Sequence, residues 1–246
     1  MKQNIYDDPV FFEGYMNLRE SGITYNDFLE QPAMKEELPD LMGKRVMDLG
    51  CGTGELSRYC IEMGASSVIG VDISSKMINR AQKVNPNGKI QYICCPIEEM
   101  NWDGEAFDVI VSSLSLHYIK DYDSLVRKLH TFLKRDGIFI YSIEHPIVTA
   151  RKDMNNWWRD ADGEQLHWAL DHYRLEGKRE QHWYVDGVIK YHHTIPTLIN
   201  GLIQNGFMLE RVLEPMPTPE GLTKIPSLKN EERRPSFLIV TSRKST

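Results

Sequence analysis

Between Lys44 and Glu144 the sequence alternates short, nearly continuous apolar runs with longer amphipathic ones, and that alternation narrows the fold more than any other feature. Val46–Leu49, Val68–Val71, Ile90–Cys94, Phe107–Val111 and Ile138–Ile143 have the length and composition of strands. Residues 55–63, 74–84 and 122–133 carry apolar residues at helical spacing, the first closed by Gly64. Strands buried on both faces and separated by helices make a parallel sheet covered on both sides. The expectation is a doubly wound, Rossmann-like α/β fold. Phe207–Leu213 and Ser236–Thr241 can pair at one edge as an antiparallel hairpin with a long connection, completing seven strands, five of them parallel.

Other segments attach to this core. Asp8-Pro9 is an N-cap followed by a first-turn proline, so a helix leads the chain through Leu18 and Arg19; a second, Pro-broken stretch covers residues 32–38. Residues 146–193 are too long for a strand-to-helix loop and are rich in Trp, Tyr and His, with Asp186-Gly187 suited to a hairpin turn. They are expected to form a cap inserted over the sheet's C-terminal edge. A helix from Thr194 to Asn205, stopped by Gly206, precedes the final strands. One domain over 1–246 is expected, divided into a helical lead (1–43), a core (44–145), the cap (146–193) and a closing helix and strands (194–246).

Composition excludes several classes. Twenty-nine Lys and Arg against 35 Asp and Glu give a net charge of −6, a poor balance for binding through nucleic-acid phosphates. No apolar run approaches the ~18 residues of a membrane span, and a basic-then-apolar leader is absent at Met1 to Asp8, so the cytoplasm is expected. Cys51, Cys60, Cys94 and Cys95 have neither disulfide-framework nor zinc-site spacing, and no metal ligand set is expected.

The chemistry is concentrated after the first strand, in Asp48-Leu49-Gly50-Cys51-Gly52-Thr53-Gly54. Glycines there let the backbone approach a ligand that also meets helix amides. A dinucleotide fingerprint would place glycine where Glu55 stands, and that acid would repel a pyrophosphate; the Gly-Lys-Ser/Thr ending of a phosphate loop is also missing. A nucleoside without phosphate fits better, with Asp72, at the end of the second strand, accepting from its ribose hydroxyls.

With Val46 to Gly54 as a first motif, Val71-Asp72-Ile73-Ser74 as a second, and Phe107 to Ser113 and Leu133 to Gly137 as later ones, the chain resembles the class I S-adenosylmethionine-dependent methyltransferases over about residues 44–145. More narrowly, Ser142-Ile143-Glu144-His145-Pro146, Trp183 to Thr194 and Arg234 to Leu238 resemble a bacterial group acting on small molecules. The resemblance implies S-adenosylmethionine as cofactor and S-adenosylhomocysteine as product. It puts Asp48, Gly50, Cys51 and Gly52 near the methionine part, Asp72 on the ribose, and Ile73 and Met77 on the adenine. Many relatives offer an Asp to the adenine amino group, but Pro96 stands at that place, and main-chain atoms near Ile97 or the Glu98 carboxylate take over. Ser113 and Leu114 line the methyl path, and Tyr15 and Arg19 close over the cofactor.

Two histidines are candidate bases for a hydroxyl or acidic-carbon acceptor. His145 follows the fifth strand, and His117 lies in the segment after the fourth. Trp157, Trp158, Tyr173 and Trp183 are expected to wall an apolar or aromatic substrate. Methyl transfer to O, N or C of a small molecule leads; action on a macromolecule and non-catalytic cofactor binding stay open, and so does the choice between monomer and homodimer. The absence of Asn/Asp-Pro-Pro-aromatic after the fourth strand, where Ser112-Ser113-Leu114-Ser115 stands, argues against nucleic-acid amino groups.

Overall fold

The computed structural model describes residues 2–154 and 156–245. After the leading helix α1 (Pro9–Glu20) and the helix α2 (Gln31–Glu37), the chain runs β1 (Arg45–Leu49), α3 (Glu55–Glu62), β2 (Ser67–Asp72), α4 (Ser75–Val84), β3 (Ile90–Cys94), β4 (Phe107–Ser112), α5 (Tyr122–Phe132) and β5 (Leu133–Glu144). The inserted segment holds α6 (Pro146–Thr149) and two hairpins, β6 (Trp157–Arg159) with β7 (Gln165–Trp168) and β8 (Gly177–Trp183) with β9 (Val185–His192). The chain then forms α7 (Ile195–Gln204), β10 (Phe207–Leu213), α8 (Pro219–Lys224) and β11 (Phe237–Lys244).

Seven strands form one sheet in the order β10-β11-β5-β4-β1-β2-β3. β1 to β5 are parallel, and β11 runs antiparallel to both β5 and β10. The inner strands β2, β1, β4, β5 and β11 are buried on both faces because their successive side chains enter different layers, whereas the edge strands β3 and β10 stay mostly half-buried or exposed. Met47, Leu49, Ile110 and Phe139 meet Leu125, Leu129, Leu198 and Leu202 on one side. Val46, Val68, Val109 and Ile140 meet Met34, Leu56 and Cys60 on the other. This is the doubly wound expectation, and it brings the ends of β1, β2, β4 and β5 to one edge. Among the described residues no helix is long and apolar enough to cross a membrane.

Asp8 caps α1 by accepting from the N–H groups of Val10 and Phe11, with Pro9 in the first turn. Four details depart from expectation. Residues 26–30 form a π-helical turn that runs directly into α2 through Pro32, which has no N–H to give the turn before it, and the Phe28 carbonyl accepts from Thr218 N–H at 2.8 Å instead. β5 starts at Leu133, with Asp136 at φ 60° inside a bulge opposite Phe107 to Val109. The tip of the second inserted hairpin is Tyr184 at φ 59°, between Trp183 and Val185, whereas Asp186-Gly187 lies in β9, Asp186 held by His182 Nδ1 at 2.7 Å. β11 continues to Lys244, whose ammonium reaches the Leu133 carbonyl at 2.9 Å.

The inserted segment divides in its packing. The β8–β9 hairpin lies against α1: Trp183 and Tyr184 meet Phe11 edge-on at 5.1 and 5.8 Å, and Gly14 leaves room for the Tyr184 ring, which a Cβ there would touch at 2.7 Å. Gln3 adds two hydrogen bonds to it, donating to the Gly187 carbonyl and accepting from Ile189 N–H. The β6–β7 hairpin packs elsewhere, on Arg233 and Arg234.

Candidate cofactor and acceptor site

The loop after β1 is shaped by three glycines with positive φ: Gly50 at 70°, Gly52 at 52° and Gly54 at 81°. Gly50 and Cys51 both donate to the Val71 carbonyl, tying the loop to β2. A Cβ on Gly50 would lie 2.3 Å from that of Ser115, so this glycine is required by close packing as well as by its backbone angle. At Gly52 an added Cβ would meet nothing within 4 Å, because it would enter open space.

That space is a cavity of about 880 Å³ under the C-terminal edge of the sheet, within the range of small-molecule sites. Asp48, Gly50, Cys51, Gly52 and Asp72 form its floor, and Ile73, Met77, Pro96, Ile97 and Glu98 form one side. Ser113 and Leu114 lie along it, and Tyr15 and Arg19 reach in from α1. The structure thus gathers every residue expected at the cofactor around one cavity.

Asp72 is the best-defined polar group there. Its two oxygens accept from Gly52 N–H (2.9 Å) and Ser74 N–H (2.8 Å), which orients both while leaving lone pairs for ribose hydroxyls. Burial outweighs those bonds and pushes its pKa up to about 6. Asp48 accepts from the Ser57 hydroxyl at 2.6 Å, and burial pushes it up to about 7. The donor set suits a phosphate-free nucleoside, with open space at Gly52 and a carboxylate at Asp72. Glu55 is not the free anion expected of it: Arg19 Nη2 lies 2.6 Å from its carboxylate, and Asp27 stands 3.6 Å from the same guanidinium.

Beyond Ser113 the cavity continues between His117, Tyr118, Glu144 and Trp183. His117 sits in a short 3-10 turn, is 4% exposed, and its Nδ1 has no partner among the described residues. Burial is the main cause that holds its pKa down at about 4, so it is neutral near pH 7. Glu144 Oε1 accepts from Lys190 Nζ at 2.6 Å, and its buried Oε2 has no partner among the described residues.

Four expected site residues are elsewhere. His145 does not line the cavity: its Nδ1 accepts from Ile147 N–H, capping α6, and its Nε2 lies 3.1 Å from Glu214. Successive residues of an extended chain point to opposite sides, so with Glu144 on the cavity His145 is turned away. Trp157 stacks edge-on with Trp168 at 5.2 Å under the guanidinium of Arg233, Trp158 is 59% exposed beside His167, and Tyr173 receives Ile195 N–H. These three aromatics hold the inserted segment together and leave Trp183 as the aromatic it contributes from the expected set. Accordingly His145→Ala is expected to leave the dissociation constant for S-adenosylhomocysteine within twofold while costing about 1–2 kcal/mol of stability, read by calorimetry and urea unfolding.

Sequence reasoning missed Glu144, although it stands beside His145 and alternation on a strand would have found it. It also missed Glu30. This carboxylate is fully buried in the π-helical turn and accepts from the hydroxyls of Ser113 (2.8 Å) and Ser142 (2.5 Å) and the amide of Gln31 (2.9 Å). Gln31 and Ser113 both line the cavity, so Glu30 fixes the wall from behind. No local signal marks it.

Known proteins are similar to this chain in sequence and fold. A model of the methyltransferase domain matches residues 47–141. An uncharacterized protein of Haemophilus influenzae is 38% identical over 99% of this chain and 98% of its own length. Two crystal structures of S-adenosylmethionine-dependent methyltransferases are similar throughout. That from Listeria monocytogenes has a TM-score of 0.84 and 39% identity, covering 88% of this chain and 97% of the other. That from Mesorhizobium loti has a TM-score of 0.81 and 40% identity, covering 87% and 97%. With the fold, the glycine loop and these relatives in agreement, the chain belongs to the class I S-adenosylmethionine-dependent methyltransferases, enzymes whose cofactor is S-adenosylmethionine.

Proposed function

We propose that this methyltransferase acts on a small molecule held at the His117 end of the cavity, with His117 as the base. One observation carries the reading: the cavity runs from the glycine loop to His117 and Glu144 and is roofed there by Trp183 and α1. A covered pocket of this size suits a compact acceptor better than a polymer strand.

When bound, S-adenosylmethionine supplies a methyl group already activated on a sulfonium and leaves as S-adenosylhomocysteine. The chain's own part is alignment, exclusion of water and removal of one proton. Asp72, Asp48 and the Gly50–Gly52 backbone hold the nucleoside and methionine portions. Glu30 orders Ser113 and Gln31 along the path. Trp183, Tyr6 and Tyr118, the last two with hydroxyls 3.2 Å apart, exclude water at the far end. His117, neutral and with Nδ1 unpartnered among the described residues, takes the acceptor's proton as the new bond to carbon forms.

The test is methyl transfer from labelled S-adenosylmethionine in a bacterial extract. Label in the small-molecule fraction is expected; label confined to protein or nucleic acid would refute the reading. His117→Ala is expected to lower kcat by about 10²-fold with cofactor affinity unchanged. With cofactor saturating, the wild-type rate should show no acid limb near pH 6.5, because burial has moved this histidine down to about 4.

A further inference from the structure

The far end of the cavity carries two buried polar atoms without partners among the described residues, Nδ1 of His117 and Oε2 of Glu144. Their residues come from different parts of the chain. His117 follows β4, and Glu144 ends β5, where it pairs in register with Phe237 of β11. Both line the same cavity, and each lies close enough to feel the other's charge. A buried polar atom left unpaired is costly, and two in one wall mark the place where a ligand's polar groups complete the bonding.

The chemistry of those groups follows from what stands behind them. Lys190 reaches from β9 with its side chain 4% exposed, bonds Glu144 Oε1 at 2.6 Å and lies 5.3 Å from the Trp183 ring centroid. Beside this ammonium Glu144 stays a carboxylate despite burial, so Oε2 can only accept. The Glu144–Lys190 pair is neutral as a unit, and so is His117. An anion would meet the Glu144 carboxylate in a poorly solvated pocket where like charges repel strongly, and a cation would find that carboxylate already neutralised by Lys190 behind it, with no net charge left to offset its own desolvation. Trp183, Tyr118, Ile189 and Tyr191 also line this end and favour a flat, apolar body.

We propose that Glu144, positioned by Lys190, selects a neutral, planar acceptor with two neighbouring hydrogen-bond donors, one facing His117 Nδ1 and the second donating to Glu144 Oε2. This rests on methyl transfer to a small molecule and adds the class of that molecule. Glu144 is here a specificity-determining residue, and Lys190 a positioning residue that acts through it.

The test uses the whole chain saturated with S-adenosylhomocysteine and measures binding of catechol, phenol, 2-hydroxybenzoate and 2-hydroxybenzylamine by ligand-observed NMR. These present two neutral donors, one donor, an anion and a cation on the same ring. Catechol is expected to bind at least fivefold more tightly than each of the others. The double variant Glu144→Leu/Lys190→Met removes the pair as a unit, so neither charge is left buried alone, and it should lower catechol to the level of phenol. Its affinity for S-adenosylhomocysteine reports whether it is folded; if it is not, Glu144→Gln replaces it, with at least a threefold loss of the preference expected.

Equal binding of catechol and phenol, tighter binding of either charged probe, no binding of any probe, or an undiminished preference in the folded variant would each overturn the proposal. If one of these results accompanies label in the small molecules of the extract, only the two-donor selection is lost. Label confined to macromolecules would remove both readings.

Discussion

Asp72→Ala is expected to raise the dissociation constant for S-adenosylhomocysteine by about 10- to 150-fold, which is ~1.5–3 kcal/mol for a charged acceptor removed from hydrogen-bonded hydroxyls. The side chain also accepts from Gly52 and Ser74, so the variant loosens the cradle as well as losing the ribose contact. Calorimetry reads the affinity, and the sheet should persist because Asp72 stands at a strand end. An unchanged affinity in folded protein would place the ribose elsewhere. The same carboxylate sets a pH dependence. Below about 6 it holds a proton in the free protein, so one acceptor is lost and affinity should fall from pH 7.5 to pH 5. Stability of the cofactor-free chain runs the other way. Burial raises both Asp72 and Asp48 above the unfolded values, so between about pH 4 and 7 the folded state binds more protons, and stability declines as pH rises through that window.

Gly50→Ala is the second large effect, about 3 kcal/mol or more in stability. The left-handed angle alone costs an L-residue ~1–2 kcal/mol, and overpacking against Ser115 adds a comparable amount because the new methyl would sit 2.3 Å from another Cβ. Gly52→Ala separates the two causes. Its backbone angle is also left-handed, but its Cβ meets nothing, so urea unfolding should show only the smaller loss while cofactor binding suffers from the methyl in the cavity. If the two variants were equally stable, packing at Ser115 would not be what requires Gly50.

These effects fall in the part of the molecule most legible from sequence. The strands of the parallel core were readable because each is a short, mostly apolar run, and the glycine loop because its angles demand glycine. The site's far end was legible only in part, since it depends on long-range partners. His145 has the right place on the sheet edge, but its orientation is set by Glu214, 69 residues away, and by the short helix it caps. Strand alternation next to His145 was enough to place Glu144 on the wall, but the counter-charge that lets a carboxylate stay there comes from Lys190, 46 residues on. Trp157 and Trp158 share the composition of a substrate wall with Trp183, but Arg233 and Gln165 hold their hairpin at another surface: the Arg233 guanidinium donates to the Gln165 carbonyl, and the Gln165 side chain is bonded by Asn230. The hairpin tip fell at Tyr184 because Gly14 on α1 opens a seat for that ring, a tertiary preference that outweighed the local turn signal of Asp186-Gly187.

The wide helical turn at Asn26–Glu30 bears on which changes in length this chain can tolerate. It carries one more residue than an α-helical turn would, and that residue sets the phase between Glu30 and everything upstream. Deleting a single amino acid there would rotate the preceding chain by about 100° about the helix axis. The apolar anchor Met34 would keep its seat against the sheet. Glu30 could then keep its hydroxyl partners only if Phe28 and Leu29 gave up their places beside Leu228 and Phe237. Point substitutions around this turn are therefore expected to be graded in effect, whereas a one-residue deletion or insertion there should be all-or-none, and a change of length is better accommodated in the exposed loop of the β6–β7 hairpin.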